Sequence, residues 1–261
     1  MIAARPGAGP DACTASWAEA VGSLSIVLPA YNEVDNIVES VRSALDVLDA
    51  AGASGEVVVG DDGSRDGTAG QARAVADRRV RVVEHPHNRG YGAALRTGFR
   101  AARCAWVLFT DADLQFDLAQ VAALGARVGE ADLVIGYRAP RRDPVLRRLN
   151  GWLWTRAVNS LLGLHVRDVN CAFKLLPRAA LASIPLRSEG AAVNGELLAR
   201  LGRGGARIVE VPVVHRPRTR GRATGAHPRV VLRALRELVS IHAELRRGAS
   251  PGPAGHGSEA W

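Results

Sequence analysis

Lysine is all but missing from this 261-residue chain. Lys174 is the only one, so nearly all of the 34 Lys and Arg side chains are arginine. Cysteine is scarce too: Cys13, Cys104 and Cys171 are odd in number and widely spaced. They form neither a zinc pattern nor a disulfide framework, which fits a reducing, cytosolic compartment. No run of about 18 apolar residues occurs, so no membrane span is expected. The N-terminus lacks the apolar core of a signal peptide. No nucleic-acid recognition motif is found, so nucleic acid is not an expected partner. There is no internal repeat and no obvious Ser/His/Asp set for nucleophilic catalysis.

What remains is apolar enough to fold and basic enough to attract anions. Hydrophobic residues make up 47% of the chain, which supports a full core and excludes disorder away from the ends. The length fits one large α/β domain or two small ones. The formal net charge of +8 favours phosphates or an anionic membrane surface.

Apolar runs and helical periodicities alternate from Leu24 onward. Strands are expected near residues 24–29, 56–60, 80–84, 105–110 and 132–136, with helices near 34–50, 67–77, 91–103 and 117–128. This alternation predicts βαβ units around a mainly parallel sheet. Further on, a helix is expected over 145–162, a strand over 172–176, a helix over 194–202 and a strand over 207–214. We divide the chain into a flexible segment 1–22, a domain 23–226, an amphipathic helix 227–247 and a disordered tail 248–261. In the last helix Val231, Leu235, Leu238 and Ile241 fall at helical spacing. It reads as a helix docked on the domain, or as a basic amphipathic surface that touches a membrane.

Three strands deliver polar residues at their carboxyl ends. Leu24–Pro29 leads into Ala30-Tyr31-Asn32-Glu33, Glu56–Gly60 into Asp61-Asp62-Gly63-Ser64, and Ala105–Thr110 into Asp111-Ala112-Asp113. Open α/β sheets bind ligands at that end. Alternate residues of an extended segment point the same way, so Asp111 and Asp113 can face one ion. Hard divalent cations take oxygen ligands, and Mg²⁺ commonly bridges to substrate phosphates. The arrangement suggests a site for metal and diphosphate; the bland alternative is a solvated turn.

Five segments complete the pattern: Val27-Leu28-Pro29-Ala30-Tyr31-Asn32-Glu33, Asp61-Asp62-Gly63-Ser64, Asn88-Arg89-Gly90-Tyr91-Gly92, Asp111-Ala112-Asp113-Leu114-Gln115 and Gly136-Tyr137-Arg138. In this order they closely resemble the inverting family 2 glycosyltransferases of the GT-A fold. Within that family they look most like dolichol- or polyprenol-phosphate mannosyltransferases. The resemblance covers roughly residues 23–226. It implies a Rossmann-like, mainly parallel central sheet flanked by helices, with a C-terminal helix.

The resemblance also implies roles. Pro29, Ala30, Tyr31 and Glu33 line a nucleotide pocket, with Ala112 beside it. Asp61 accepts hydrogen bonds from the base, Asp62 serves the same site, and Arg89 meets a phosphate. Asp111, Asp113 and Gln115 hold Mg²⁺ or Mn²⁺ and, through it, the donor diphosphate. Arg138, Arg147 and Arg218 bind phosphate, although Gly151 stands where a serine is usual in the lipid-phosphate branch. Arg218, Gly221 and Thr224 match a loop that closes over the diphosphate, with Thr224-Gly225 in place of Ser-Lys. Phe116-Asp117 follows the metal motif where His-Pro is common. Asp168, in Asp168-Val169-Asn170-Cys171-Ala172-Phe173-Lys174, and Glu196, in Asn194-Gly195-Glu196, complete the catalytic set with Asp113, Arg138 and Arg218. Several of these residues have a plain structural alternative. Asp61 fits a turn, Glu33 and Glu196 fit helix N-termini, and Asp168 is equally a structural group.

The expected reaction is a single in-line displacement on a nucleotide-diphospho-sugar, GDP-mannose before others, with a polyprenyl phosphate as acceptor. An acceptor phosphate is already ionised, so no strong protein base is needed. With an alcohol acceptor, Asp168, Glu196 or His215 becomes the candidate base. The second expectation is a family 2 enzyme acting on a soluble small molecule or natural-product scaffold, or using a UDP-sugar. A cytoplasmic enzyme is expected, peripheral on the cytoplasmic membrane face if the acceptor is a lipid.

Overall fold

The computed structural model describes residues 17–140, 145–218, 220 and 228–247. Cys13, Gly221, Thr224, Gly225 and the tail 248–261 lie outside them.

Continuous apolar runs make the centre of the sheet. Strand β1 (Ser23–Ala30) is buried over seven of its eight residues, and Val57–Val59 in β2 (Ser54–Asp61) are fully buried. Strands covered on both faces read as unbroken apolar runs because neither face meets water. β3 (Val80–Glu84), β4 (Trp106–Thr110), β5 (Leu133–Arg138), β6 (Phe173–Pro177) and β7 (Ile208–Val213) complete a seven-stranded sheet in the order β3-β2-β1-β4-β6-β5-β7. All neighbouring pairs are parallel except those made by β6, which runs antiparallel to both β4 and β5.

The helices are α1 (residues 17–21), α2 (Ile37–Ala50), α3 (Thr68–Ala74), α4 (Tyr91–Ala101), α5 (Val121–Gly125), α6 (Val145–Leu162), α7 (Arg178–Ala182), α8 (Val193–Arg203) and α9 (Pro228–Arg247). The expected flexible segment 1–22 is corrected over its last residues. Trp17 and Val21 are 2% and 3% exposed, and a Cβ on Gly125 would stand 2.9 Å from Trp17. The missing side chain on α5 makes the seat for the indole.

Helix α9 is docked on the domain by Ala234, Leu238, Ile241 and Leu245, all buried. Val231 and Leu235, expected on the same face, are exposed, as are Leu232 and Val239. The helix therefore carries a second apolar stripe. Its neighbour α6 does the same through Val145, Leu149, Trp152 and Leu153.

The chain order reverses between β1 and β4. β1, β2 and β3 step outward to one side, while β4 returns to the other side of β1. Ligands of open α/β sheets sit outside the carboxyl ends of the strands at such a reversal. The segments that follow β1, β2 and β4 all emerge there.

Candidate active site

The loops after β1 and β2 lock together before any ligand is considered. Asn32, at φ 53°, donates its backbone N–H to Ser64 Oγ and accepts from the Arg65 N–H. Asp61, 1% exposed, closes its own turn by accepting from the Ser64 N–H at 2.9 Å and Ser64 Oγ at 2.5 Å. An ionised carboxylate offers about four lone-pair sites, so acceptor capacity remains. Pro29 pairs in register with Gly60, and the buried Ala30 carbonyl accepts from the Asp62 N–H. Tyr31 is 37% exposed at the rim.

Asp62 has a different task from the one expected. Its carboxylate is bonded to His85 Nδ1 at 2.8 Å and accepts from the N–H groups of Arg89 at 2.9 Å and Gly90 at 2.7 Å. It is 2% exposed. Both oxygens take part in pinning the start of α4 against β2. Arg89 is held by its backbone, while its side chain points to solvent. Gly90, at φ 115°, and Gly92 admit the 188–190 segment onto the start of α4. A Cβ at either position would come within 2.4 Å of the Glu189 or Ser188 carbonyl oxygen. The glycines serve packing at this helix start.

Asp111 and Asp113 follow β4 as expected. Burial, reinforced by the charge of Asp113, pushes the Asp111 carboxyl up to about 7. Burial also raises Asp113. Asp111 Oδ1 accepts from the Tyr91 hydroxyl at 2.9 Å. Asp113 Oδ1 accepts from the Gln115 N–H at 3.2 Å. Leu114 between them takes φ 61°, and the Gln115 side-chain amide donates to the Arg216 carbonyl. Only Gln115 Oε1 is left as a ligand atom. The Ala112 carbonyl accepts from Ser40 Oγ, which fixes the loop to α2.

Two arginines define the rest of the cleft. Arg218 donates to both oxygens of Glu33 at 2.5 Å and lies 3.6 Å from Asp113 Oδ2. The Arg218 side chain therefore already reaches the carboxylates. Arg138, at the end of β5, donates from Nε and Nη2 to the two oxygens of Asp168 at 2.7 and 2.9 Å. Arg147 is exposed on α6.

This geometry gives structural partners to two residues expected to be catalytic. Asp168, 3% exposed, is ion-paired with Arg138 and fixes its direction. Glu196, fully buried, accepts from the N–H groups of Arg187 and Ser188 and from Arg200 Nε. It builds the 187–190 segment that covers α4.

Tyr91, Asn194 and Lys174 were not anticipated as site groups, although all three lie in the quoted motifs. Lys174 is completely buried, and burial pulls its ammonium down to about 8. The signal was the singleness of that lysine on a strand that reads as core.

A hard divalent ion suits Asp111 and Asp113. Two crowded carboxylates with raised affinity for protons exchange mutual repulsion for a shared cation. Among the described residues no group of three or more His, Cys, Asp or Glu is placed to hold a metal. The protein thus offers a partial oxygen set, the kind completed by water and substrate phosphates.

Fold and site together define an open α/β sheet that carries a cleft of carboxylates and arginines at its switch point. Residues 25–184 match the family described as Glycosyl transferase family 2, and the chain belongs to that family. It is 28% identical over 240 residues to the dodecaprenyl-phosphate galacturonate synthase of Rhizobium johnstonii, covering 88% of this chain and 69% of that protein. It is 32% identical over 203 residues to an undecaprenyl-phosphate 4-deoxy-4-formamido-L-arabinose transferase of Pseudomonas paraeruginosa, covering 76% of this chain and 59% of that protein. Among solved structures, glucosyl-3-phosphoglycerate synthase from Mycobacterium tuberculosis with phosphoglyceric acid superposes with a TM-score of 0.67 at 26% identity. That match covers 96% of this chain and 88% of that one. The same enzyme with Mn²⁺, UDP-glucose and phosphoglyceric acid gives 0.68 at 25% identity, covering 92% and 86%. The GT-A fold expectation holds. The expected mannose specificity is not carried by these relatives, whose names specify galacturonate and a formamido-arabinose.

Proposed function

We propose that this glycosyltransferase moves a hexose from a nucleotide-diphospho-sugar to a polyprenyl phosphate, inverting the anomeric carbon in one in-line displacement. The observation that carries this reading is the fate of the two carboxylates that could have served as base. Asp168 is committed to Arg138, and Glu196 to two backbone N–H groups and Arg200. An acceptor that arrives ionised needs neither. The names of the two relatives point to the same acceptor class.

In this reading Asp61, Pro29, Ala30 and Tyr31 receive the nucleoside. Asp111 and Asp113, with Gln115 Oε1, hold Mg²⁺ or Mn²⁺; when bound, the ion offsets the charge that develops on the departing diphosphate. Arg218 exchanges Glu33 and Asp113 for the donor phosphates and covers them. Arg138, oriented by Asp168, holds the acceptor phosphate through its planar fork, with Arg147 further out. GDP-mannose is the first donor to test and UDP-sugars the next, given the UDP-glucose complex of the structural relative.

Among the described residues no helix is long and apolar enough to cross a membrane. The outward stripes of α6 and α9 supply a peripheral contact instead. Val145, Leu149, Trp152 and Leu153 stand with exposed Arg147, Arg148 and Arg156, and Val231, Leu232, Leu235 and Val239 with exposed Arg236. Apolar side chains mixed with arginine suit an anionic lipid surface, and a lipid acceptor places the enzyme on the cytoplasmic face.

A second reading, a soluble phosphorylated acceptor, is favoured by the match to the phosphoglyceric acid complex over 96% of the chain. It needs a base for a hydroxyl. His215, whose ring packs edge-on against Phe116 at 4.9 Å, is then the candidate. The deciding experiment is nucleotide release from a panel of nucleotide sugars with Mg²⁺ or Mn²⁺, each with and without a short polyprenyl phosphate. Release that rises only with the lipid phosphate supports the first reading. Release stimulated by phosphoglyceric acid and not by the lipid supports the second.

A further inference from the structure

A basic cavity lies at the opposite end of the sheet from the paired carboxylates. It opens between α4 and α7 and has a volume of about 550 Å³, the size of a small-molecule site. The Arg178 N–H, at the start of α7, donates to the Ala105 carbonyl at 2.8 Å, and Pro177 pairs with Trp106, the first residue of β4. Asp111 and Asp113 follow the other end of that strand, after Thr110. The length of β4 separates the cavity from the cleft.

Its walls sort by chemistry. Phe99, Ala102 and Leu181 are buried and form an apolar floor. Arg96, Arg100, Arg178 and Arg187 line the rest, and among the described residues no carboxylate does. Arg96 donates to the Ser188 carbonyl at 2.8 Å and Arg178 to the Cys104 carbonyl at 3.1 Å. Those bonds aim the guanidinium groups without neutralising them. The ion pairs within reach are long: Arg96 lies 4.0 Å from Glu189, and Arg187 lies 3.6 Å from Glu244. Arg100 is exposed and has no ion pair among the described residues. A guanidinium carries five donors, so most of those around the cavity are unspent. Like charges gathered on one wall repel each other, and an anion between them relieves that repulsion.

Floor and rim also set which way round a ligand sits. A bilayer lipid keeps its tail in the membrane and offers its phosphate outward. This cavity takes the reverse, with the apolar end on Phe99 and Leu181 and the anion among the exposed Arg100, Arg178 and Arg187. We propose that the cavity between α4 and α7 binds a free phosphate ester with a short apolar body, at a site separate from the cleft. The planar fork of arginine matches phosphate oxygens, and several forks together favour a dianion. Such a ligand also touches the segment that covers the start of α4. Arg96 holds the Ser188 carbonyl, and the Glu189 carbonyl accepts from the Gly92 N–H at 2.7 Å.

The probe is octyl phosphate below its micelle concentration, titrated calorimetrically into the full chain without metal or nucleotide. Amide hydrogen exchange then locates it. Binding should protect residues 96–102 and 178–190 and leave 133–138, the strand of Arg138, unchanged. Inorganic phosphate should bind about 10-fold or more weakly, because it leaves the floor wet. Octyl glucoside, neutral with the same tail, should give no protection at 178–190. Arg100→Ser combined with Arg178→Ser should weaken octyl phosphate by about 10-fold or more. Arg236→Ser combined with Arg246→Ser removes the same charge from exposed positions of α9 and should leave the affinity unchanged. Absence of protection at 178–190 in the wild-type protein overturns the site. Equal weakening by the two double variants overturns it as well, since net charge alone would then draw the ligand. Protection of 178–190 by vesicles of phosphatidic acid in phosphatidylcholine, and not by octyl phosphate, gives the arginines to a bilayer and overturns the free ligand.

Discussion

Replacing Asp168 by asparagine distinguishes a base from an orienting anion. The carboxylate takes both forks of Arg138 at 2.7 and 2.9 Å, with side-chain exposures of 5% and 14%. Removing one partner of a buried pair costs about 3–5 kcal/mol. Asparagine keeps one acceptor, so the expected loss is about 2–3 kcal/mol of folding stability, read by urea unfolding. Arg138 also loses its fixed direction. A displacement on the order of 1 Å costs about 100-fold in rate, and here it should appear as a raised KM for the acceptor phosphate together with a lower kcat. The ratio of mutant to wild-type kcat should be the same at pH 6 and pH 9. A lost base would leave a different record: intact stability, unchanged acceptor KM, and a mutant rate that climbs with pH as hydroxide takes over. That record would refute the assignment of Asp168 to Arg138.

Asp111→Asn should stabilise the metal-free protein at pH 8 and not at pH 4. The folded carboxyl titrates at about 7, above its ordinary 3.8. Its protonated form therefore favours folding at low pH, and that contribution is lost as pH rises through about 7. The ceiling is about 4 kcal/mol, and melts without metal that show no pH-dependent gain would contradict the raised value. Glu196→Gln should lower stability by about 3 kcal/mol, because buried N–H groups and Arg200 lose charged partners. Its kcat should stay within several-fold of wild type, and a collapse of kcat with an unchanged melt would restore a catalytic role. Leu232→Glu combined with Val239→Glu alters side chains that are 49% and 63% exposed, so stability should move by no more than about 0.5 kcal/mol. Binding to anionic vesicles should fall about 10-fold or more, and unchanged sedimentation with vesicles would remove α9 from the membrane contact.

The strands were legible because the sheet's interior forces long apolar runs, and their ends were legible because a ligand cleft forces polarity there. Asp111 and Asp113 combined both signals. The antiparallel direction of β6 was not legible, since an apolar run carries no direction. The roles of Asp62, Asp168 and Glu196 were hidden for a related reason. Their charge marks them as important, but the groups that use it, Arg89 and Gly90, Arg138, or Arg187 and Arg200, are chosen by the fold. Helix α1 was missed because its anchor, Trp17, finds its place only through Gly125, more than a hundred residues away. In α9 the spacing was right and half of the expected face was: two apolar stripes share the helix, and only packing shows that Leu238 and Ile241 go inward while Val231 and Leu235 do not.

A polyprenyl phosphate acceptor brings its own ionised nucleophile. This is tested most directly by offering one nucleotide sugar, with Mn²⁺, to a short polyprenyl phosphate and to the alcohol of the same chain. Nucleotide release is followed from pH 6 to pH 9. Turnover is expected with the phosphate alone, reaching a plateau once the phosphate is fully ionised. Comparable turnover of the alcohol would contradict it, because the described site would then have to contain a working base.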